Sequence, residues 1–182
     1  MEEQERLLVE RARTDPAAFS TLYRMYVDRI YNYTYQRTGS HADAEDLTAR
    51  TFLKALVHLK TFVFRGVPFS AWLYRIAHNA VVNWYRDQHR HRVVSLDALI
   101  VSTRESDRLE DWTAARQDQR ALLGALRKLP QERQELLILK FSEGLTNAEI
   151  GQVMGRTEGA IKSLYHRTLL ELREQLRESG TE

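Results

Sequence analysis

The chain has 182 residues, of which 43% are hydrophobic and 29% charged, with a formal net charge of +2, so it can bury a core and stay soluble. It contains no cysteine, which excludes disulfides and cysteine-ligated metal sites within it and fits a reducing, cytoplasmic compartment. The charged start MEEQERLLVERARTD lacks the apolar core of a signal peptide, and no apolar run approaches the roughly 20 residues of a membrane span.

Apolar residues recur at helical spacing nearly throughout. A short helix fits 3–13. Asp15-Pro16 then offers an N-cap followed by proline at the first helical position. The helix it opens carries Phe19, Leu22, Tyr23, Tyr26, Ile30 and Tyr33, and Gly39 is its expected stop. A third helix is expected over 42–59, with an acidic first turn suited to a helix N-terminus. The segment KTFVFRGVPF breaks the pattern, and a fourth helix follows over 70–90, with Trp72 and Trp84 assigned to the core. Residues 60–92 are the basic block: Lys60, Arg65, Arg75, Arg86, Arg90 and Arg92 stand against the single acid Asp87. Such a block attracts phosphates, although a solvated helix face accounts for it equally well.

Residues 93–118 change character. The apolar period weakens and acids dominate. A structureless loop of that length is uncommon inside one domain, so the segment reads as a linker. The expected fold is all-α: two small helical domains, 1–92 and 119–182, joined by the acidic linker 93–118. Helices in the second domain are expected near 119–129, 131–143, 146–154 and 157–177.

The stretch LTNAEIGQVMGRTEGAIKSLYHRTL carries the clearest local signal. Thr146 and Glu149 form a capping box, Gly155 supplies a helix stop, and Thr157 can cap the next helix. Two helices meeting at a tight glycine-containing corner form a helix-turn-helix. Steps of about 100° per residue put Ile161, Leu164, Tyr165 and Thr168 on one side of the second helix. Gly159, Lys162, Ser163 and His166 lie on the other, with Arg167 at its edge. That free side suits a DNA major groove. Lys162, Ser163, His166 and Arg167 supply donors for base edges and phosphates, and Gly159 lets the backbone approach a phosphate. An exposed face of a helical bundle is the plainer alternative.

Two distant pieces agree with one family. LPQERQELLILKFSEGLTNAEIGQVMGRTEGAIKSLYHRTLLEL resembles the promoter-upstream (minus-thirty-five) reading domain of the sigma-70 family, particularly its extracytoplasmic-function group. DAEDLTARTFLKAL and FSAWLYRIAHNAVVNWYRDQHR resemble the first domain of that group. The resemblance covers roughly 5–92 and 119–177. It implies a sigma factor that binds core RNA polymerase, directs it to promoter DNA and promotes melting. Asp46, Leu47, Thr51, Phe52 and Lys54 are the positions it implies for gripping the polymerase, although Leu47 and Phe52 could equally be core. The loop from Phe62 to Phe69, with Phe64 and Arg65, is implied to read the minus-ten element together with Asn79 of the Ile-Ala-x-Asn motif. There a flipped base would stack on apolar surface and pair with the carboxamide. Arg75, Arg86 and Arg90 are the implied phosphate contacts. Thr157, Gly159, Lys162, Ser163, His166 and Arg167 are the implied minus-thirty-five set. The loop carries Val67-Pro68 where the family often has small polar residues, and Asn83 stands where an acid is frequent. The acidic linker has the sign of a nucleic-acid mimic, or of a plain solvated spacer. Many members of the family are held by an anti-sigma factor, and the resemblance raises such a partner here without naming it.

Two other functional classes make distinct demands on the sequence. A helix-turn-helix regulator acting without polymerase would bind duplex DNA alone, which a gel shift with and without core separates. An enzyme would need a catalytic constellation. The chain has no His-Glu-x-x-His, no phosphate-cradling glycine loop and no cysteine nucleophile. His41, Asp43, Glu45 and Asp46 point around their helix, and His89 and His91 fall on nearly opposite faces. The expectation is a protein that is not an enzyme and uses no metal or cofactor.

Overall fold

A computed structural model describes residues 2–64, 67–88 and 114–179, and all regular structure among them is helical. The N-terminal unit comprises α1 (Glu2–Ala12), α2 (Pro16–Thr38), α3 (His41–His58) with a short 3-10 turn at Leu59–Thr61, and α4 (Phe69–Gln88). Asp15 caps α2, its Oδ1 accepting from the Ala17 N–H at 2.9 Å. Gly39 ends the helix at φ +66° and donates its N–H to the Tyr35 carbonyl at 2.8 Å, a left-handed stop that glycine adopts without a Cβ clash. Close packing of α2 on α3 uses buried threonines. Thr34 and Thr48 return their hydroxyls to the Ile30 and Ala44 carbonyls at 3.0 and 2.7 Å, and lie 3.1 Å from each other. Each hydroxyl is thereby satisfied inside the core.

The C-terminal unit comprises α5 (Ala114–Lys128), α6 (Gln131–Leu137), α7 (Asn147–Met154) and α8 (Glu158–Ser179). The start of α5 falls inside the span expected to be linker, residues 114–118, while 93–113 lie outside the described residues. α6 runs into a π-helical turn at Ile138–Ser142, a widening that periodicity does not register. Gln134 closes the end of α5: its Nε2 donates to the Leu126 and Leu129 carbonyls at 3.1 and 2.8 Å, which satisfies acceptors that a helix terminus leaves open.

The helix-turn-helix is present as expected. The Thr146 N–H donates to Glu149 Oε2 at 2.6 Å, the Glu149 N–H returns to Thr146 Oγ1 at 3.3 Å, and Gly155 sits at φ +68°. The corner depends on a second glycine. A Cβ on Gly151 would lie 2.6 Å from the Arg156 carbonyl oxygen, closer than any real Cβ contact.

The units do not keep separate cores. The buried residues form one contiguous cluster, from Val9 and Leu22 through Leu73 and Val81 to Ile138, Ile150 and Ile161. α4 packs against α7 along the seam. Among the described residues, no helix is long and apolar enough to cross a membrane.

Candidate nucleic-acid interface

α4 divides its residues sharply. Leu73, Tyr74, Ala77 and Val81 are fully buried, and Tyr85 nearly so. Arg75, Asn79 and Arg86 are exposed on the far side, with Asn83 beside them. Steps of 100° place Arg75, Asn79 and Arg86 on one stripe. A carboxamide flanked by two guanidinium groups is a donor–acceptor pair set between phosphate contacts. Trp72 and Trp84, assigned to the core from sequence, are half-buried and pack against it. The Trp84 indole N–H donates to Asp43 Oδ1 at 3.1 Å.

The loop before α4 is built on an aromatic cluster. Phe62 is 6% exposed, with ring centroids 4.7 Å from Trp72, 4.8 Å from Phe64 and 5.9 Å from Phe69. Its carbonyl accepts from Arg13 Nη2 at 2.7 Å, so the turn that follows α1 pins the loop. Phe62 is therefore a foundation rather than an open stacking surface. Phe64 is only partly buried, and the Arg6 guanidinium lies 5.9 Å from its ring centroid. Arg65 and Arg90 lie outside the described residues.

The second candidate face is on α8. Ile161 and Thr168 are fully buried and Leu164 nearly so. Thr157, Gly159, Lys162, Ser163, His166 and Arg167 are all exposed. Thr157 Oγ1 accepts from the Ala160 N–H at 3.2 Å, fixing the first turn. Lys162 is paired with Glu158 at 2.7 Å across one exposed turn, and Arg167 Nε donates to the Ser163 carbonyl at 3.3 Å. Both contacts are solvated, so a phosphate can displace them at little cost. A Cβ on Gly159 would meet nothing within 4 Å, so this glycine leaves open space above the helix N-terminus.

α3 separates the polymerase-contact set. Leu47, Thr51 and Phe52 are buried at 2%, 0% and 5% exposure, and Asp46 and Lys54 face solvent. The three buried side chains cannot meet a partner in this conformation; they pack α3 onto its neighbours. Large apolar residues on the outer face are Leu53, Leu56 and Val57, exposed by 64%, 48% and 64%. Leu53 and Leu56 thus lie on the opposite side from Leu47 and Leu59, which are buried. A helical wheel centred on Ala44, Thr48 and Ala55 would have put Leu53 and Val57 outside, next to Asp46 and Arg50.

The seam between the units holds functional groups that no motif signalled. Glu135 accepts from the Tyr33 hydroxyl at 2.7 Å and bonds His78 Nδ1 at 2.6 Å, and Arg37 lies 3.2 Å away. Burial alone raises this carboxyl, but Arg37, His78 and Tyr33 together outweigh it and hold the pKa down at about 2. Glu143 accepts from the Tyr74 hydroxyl and lies 3.7 Å from Arg29 Nε, whose Nη2 also donates to the Glu143 carbonyl at 2.9 Å. At Glu143 burial prevails over these partners, and the carboxyl is raised.

The Sigma-70 region 2 family matches residues 22–91, and the Sigma-70 region 4 family matches residues 119–172. The ECF RNA polymerase sigma factor BldN of Streptomyces coelicolor is 40% identical over 166 residues, covering 91% of this chain and 63% of that protein. The present chain thus spans less than two thirds of BldN. The RNA polymerase sigma factor YlaC of Bacillus subtilis is 32% identical over 163 residues, covering 88% of this chain and 93% of that protein. The solved structure of CnrH in complex with the cytosolic domain of CnrY aligns with a TM-score of 0.64 at 23% identity, covering 95% of this chain and 97% of that one, a likeness of fold alone. With both sigma regions matched in order, and a relative matched over nearly its full length, the chain belongs to the sigma-70 family of RNA polymerase sigma factors, in its extracytoplasmic-function group.

Proposed function

We propose that the protein binds core RNA polymerase, directs it to a set of promoters and promotes strand opening, working in the cytoplasm as a specificity subunit and not as an enzyme. The observation that carries this reading is the presence, on one chain, of two exposed DNA-suited faces in the two sigma-like units. The Arg75–Asn79–Arg86 stripe takes the minus-ten strand, with Phe64 of the preceding loop and with Arg65 and Arg90 in the implied contact set. The Thr157–Arg167 face takes the minus-thirty-five duplex. The outer ridge of α3, with Asp46, Lys54, Leu53, Leu56 and Val57, is the docking surface for core. Large exposed apolar side chains between charges are what an obligate partner surface displays. In this division the N-terminal unit and the C-terminal unit from α5 onward are the working domains, joined by the acidic segment between them. An anti-sigma factor that covers both faces is the negative partner this arrangement suits.

In vitro transcription with purified core polymerase, followed by start-site mapping, tests the reading. Discrete start sites that depend on the added chain support it. Initiation indistinguishable from core alone refutes it.

A further inference from the structure

The exposed side of α8 carries a single acid between Thr157 and Arg167. Lys162, Ser163, His166 and Arg167 each offer a hydrogen to a partner, whereas Glu158 has acceptors alone. Two helix-stabilising roles account for an acid here. It complements the helix dipole, and Glu158 before Lys162 is the favourable order for a pair one turn apart. Neither role removes the difficulty that this face enters a groove walled by phosphates. A carboxylate without a donor partner is repelled there and loses its water.

The geometry supplies a use for it. Glu158 Oε1 lies 2.7 Å from Lys162 Nζ, and both side chains are exposed. Their bond occupies one ammonium hydrogen and one of roughly four carboxylate acceptor sites. The pair therefore still presents an acceptor and a donor side by side, with the acid neutralised. Thr157 Oγ1 fixes the turn by accepting from the Ala160 N–H at 3.2 Å. Gly159 adds no side chain to hold the helix off.

In a helix-turn-helix the first residues of the second helix reach the base edges. The major-groove edge of a G·C pair sets the guanine N7 and O6 acceptors beside the cytosine N4 amino donor. O6 and N4 are themselves joined by a base-pairing hydrogen bond, so their spacing matches that of Lys162 and Glu158. Against that edge Lys162 donates to guanine and Glu158 accepts from cytosine. A reversed pair sets carboxylate against O6 and ammonium against an amino group, which leaves both unsatisfied. A T·A pair has the same polarity through O4 and N6, but it lacks the second acceptor for Lys162, and the thymine methyl crowds O4.

We propose that Glu158, acting as a unit with Lys162, is a specificity-determining residue that selects a G·C pair of fixed orientation in the upstream element. This rests on the function proposed above and adds an obligate acceptor to its minus-thirty-five face.

The test is binding of the holoenzyme to a library of duplexes randomised over the upstream element, read by sequencing the bound fraction. At one position the original chain should prefer G·C over C·G by about 5- to 150-fold. Glu158→Ala, shown by circular dichroism to keep its helicity, should cut that preference to less than about twofold and leave selection at the other positions as it was. Glu158→Gln keeps an acceptor without the charge and should retain most of the preference. Alanine-variant selection that is unchanged at every position overturns the proposal. So does an affinity that rises or falls equally for all sequences, the mark of a charge acting only on phosphates. A glutamine variant as indifferent as the alanine one overturns it too. If holoenzyme made with the original chain selects no upstream sequence at all, the minus-thirty-five reading itself fails and takes this proposal with it.

Discussion

Arg37 of α2 and Glu135 of α6 come from different units of the chain and meet at 3.2 Å, with side chains 2% and 5% exposed. Their pairing makes a single folded body out of two modules whose sequences read as independent. It also sets a charged group where the two units would otherwise be expected to present apolar surface or solvent.

That pairing has a signature in acid. Tyr33, Arg37 and His78 face the Glu135 carboxylate and hold its pKa at about 2, against an ordinary 4.5. A depressed carboxyl contributes stability that is fully present above its unfolded value and is lost as pH falls through the folded one. The window is therefore pH 4.5 down to about 2. The loss has a ceiling of about 3 kcal/mol, taking 1.36 kcal/mol per pKa unit. Denaturant melts of the original chain and Glu135→Gln across this window should converge as pH drops. Parallel curves would show that the carboxylate's ionisation does not matter.

Asn79 is exposed on α4, so Asn79→Ala should leave the melting temperature unchanged. Losing a two-bond contact to a base edge costs about 1–3 kcal/mol, which predicts open-complex formation reduced by about 5- to 150-fold with core affinity unaltered. Permanganate reactivity of unpaired thymines reports the first, and a core-binding titration the second. The matching change on α8, Arg167→Ala, should weaken upstream duplex binding. If Arg167 holds a phosphate it should also flatten the salt dependence by about one unit of slope.

The two faces of α3 should respond oppositely. Phe52→Ala removes a buried ring and should cost about 3–5 kcal/mol of folding stability. Val57→Asp alters an exposed side chain and should leave stability within about 0.5 kcal/mol while core binding falls at least tenfold. Melting curves and a pull-down on core separate the two. A Val57→Asp chain that retains full core affinity removes the α3 ridge from the docking surface.

Two glycines of the helix-turn-helix make a further contrast. At Gly151 an added methyl meets the Arg156 carbonyl at 2.6 Å, backbone that cannot step aside. Gly151→Ala should therefore destabilise the chain by about 1–3 kcal/mol. Gly159 has open space above it, and alanine there should stabilise the helix by up to about 1 kcal/mol. Any fall in affinity for upstream duplex by Gly159→Ala, measured by anisotropy in the holoenzyme, then reports on backbone approach and not on folding. Unchanged affinity would show that the phosphate does not come close at this position.

Much of the fold was legible beforehand because its signals are local. Asp15-Pro16, Gly39, the Thr146–Glu149 capping box and Gly155 each act within one helical turn, and each sits where spacing placed it. The Thr157–Arg167 face was legible for the same reason: alternating apolar and polar steps on one helix decide which side is dry. α3 was harder. Its leucines occur on both sides, and only the packing of Ala44, Thr48 and Ala55 against α2 and α4 shows that Leu47 is inside and Leu53 outside. Gly151 escaped notice because its constraint comes from the chain after the turn.

The amino-acid order by itself determined helices, caps and the polar faces of α4 and α8, since these follow from backbone hydrogen bonding and a 3.6-residue period. Only tertiary structure decided that the units share one core, and that Glu135 and Glu143 find Arg37, His78, Tyr74 and Arg29. An acid on a helix carries no mark of its partner. The match is made when two surfaces dock and burial makes an unpaired charge too costly to leave.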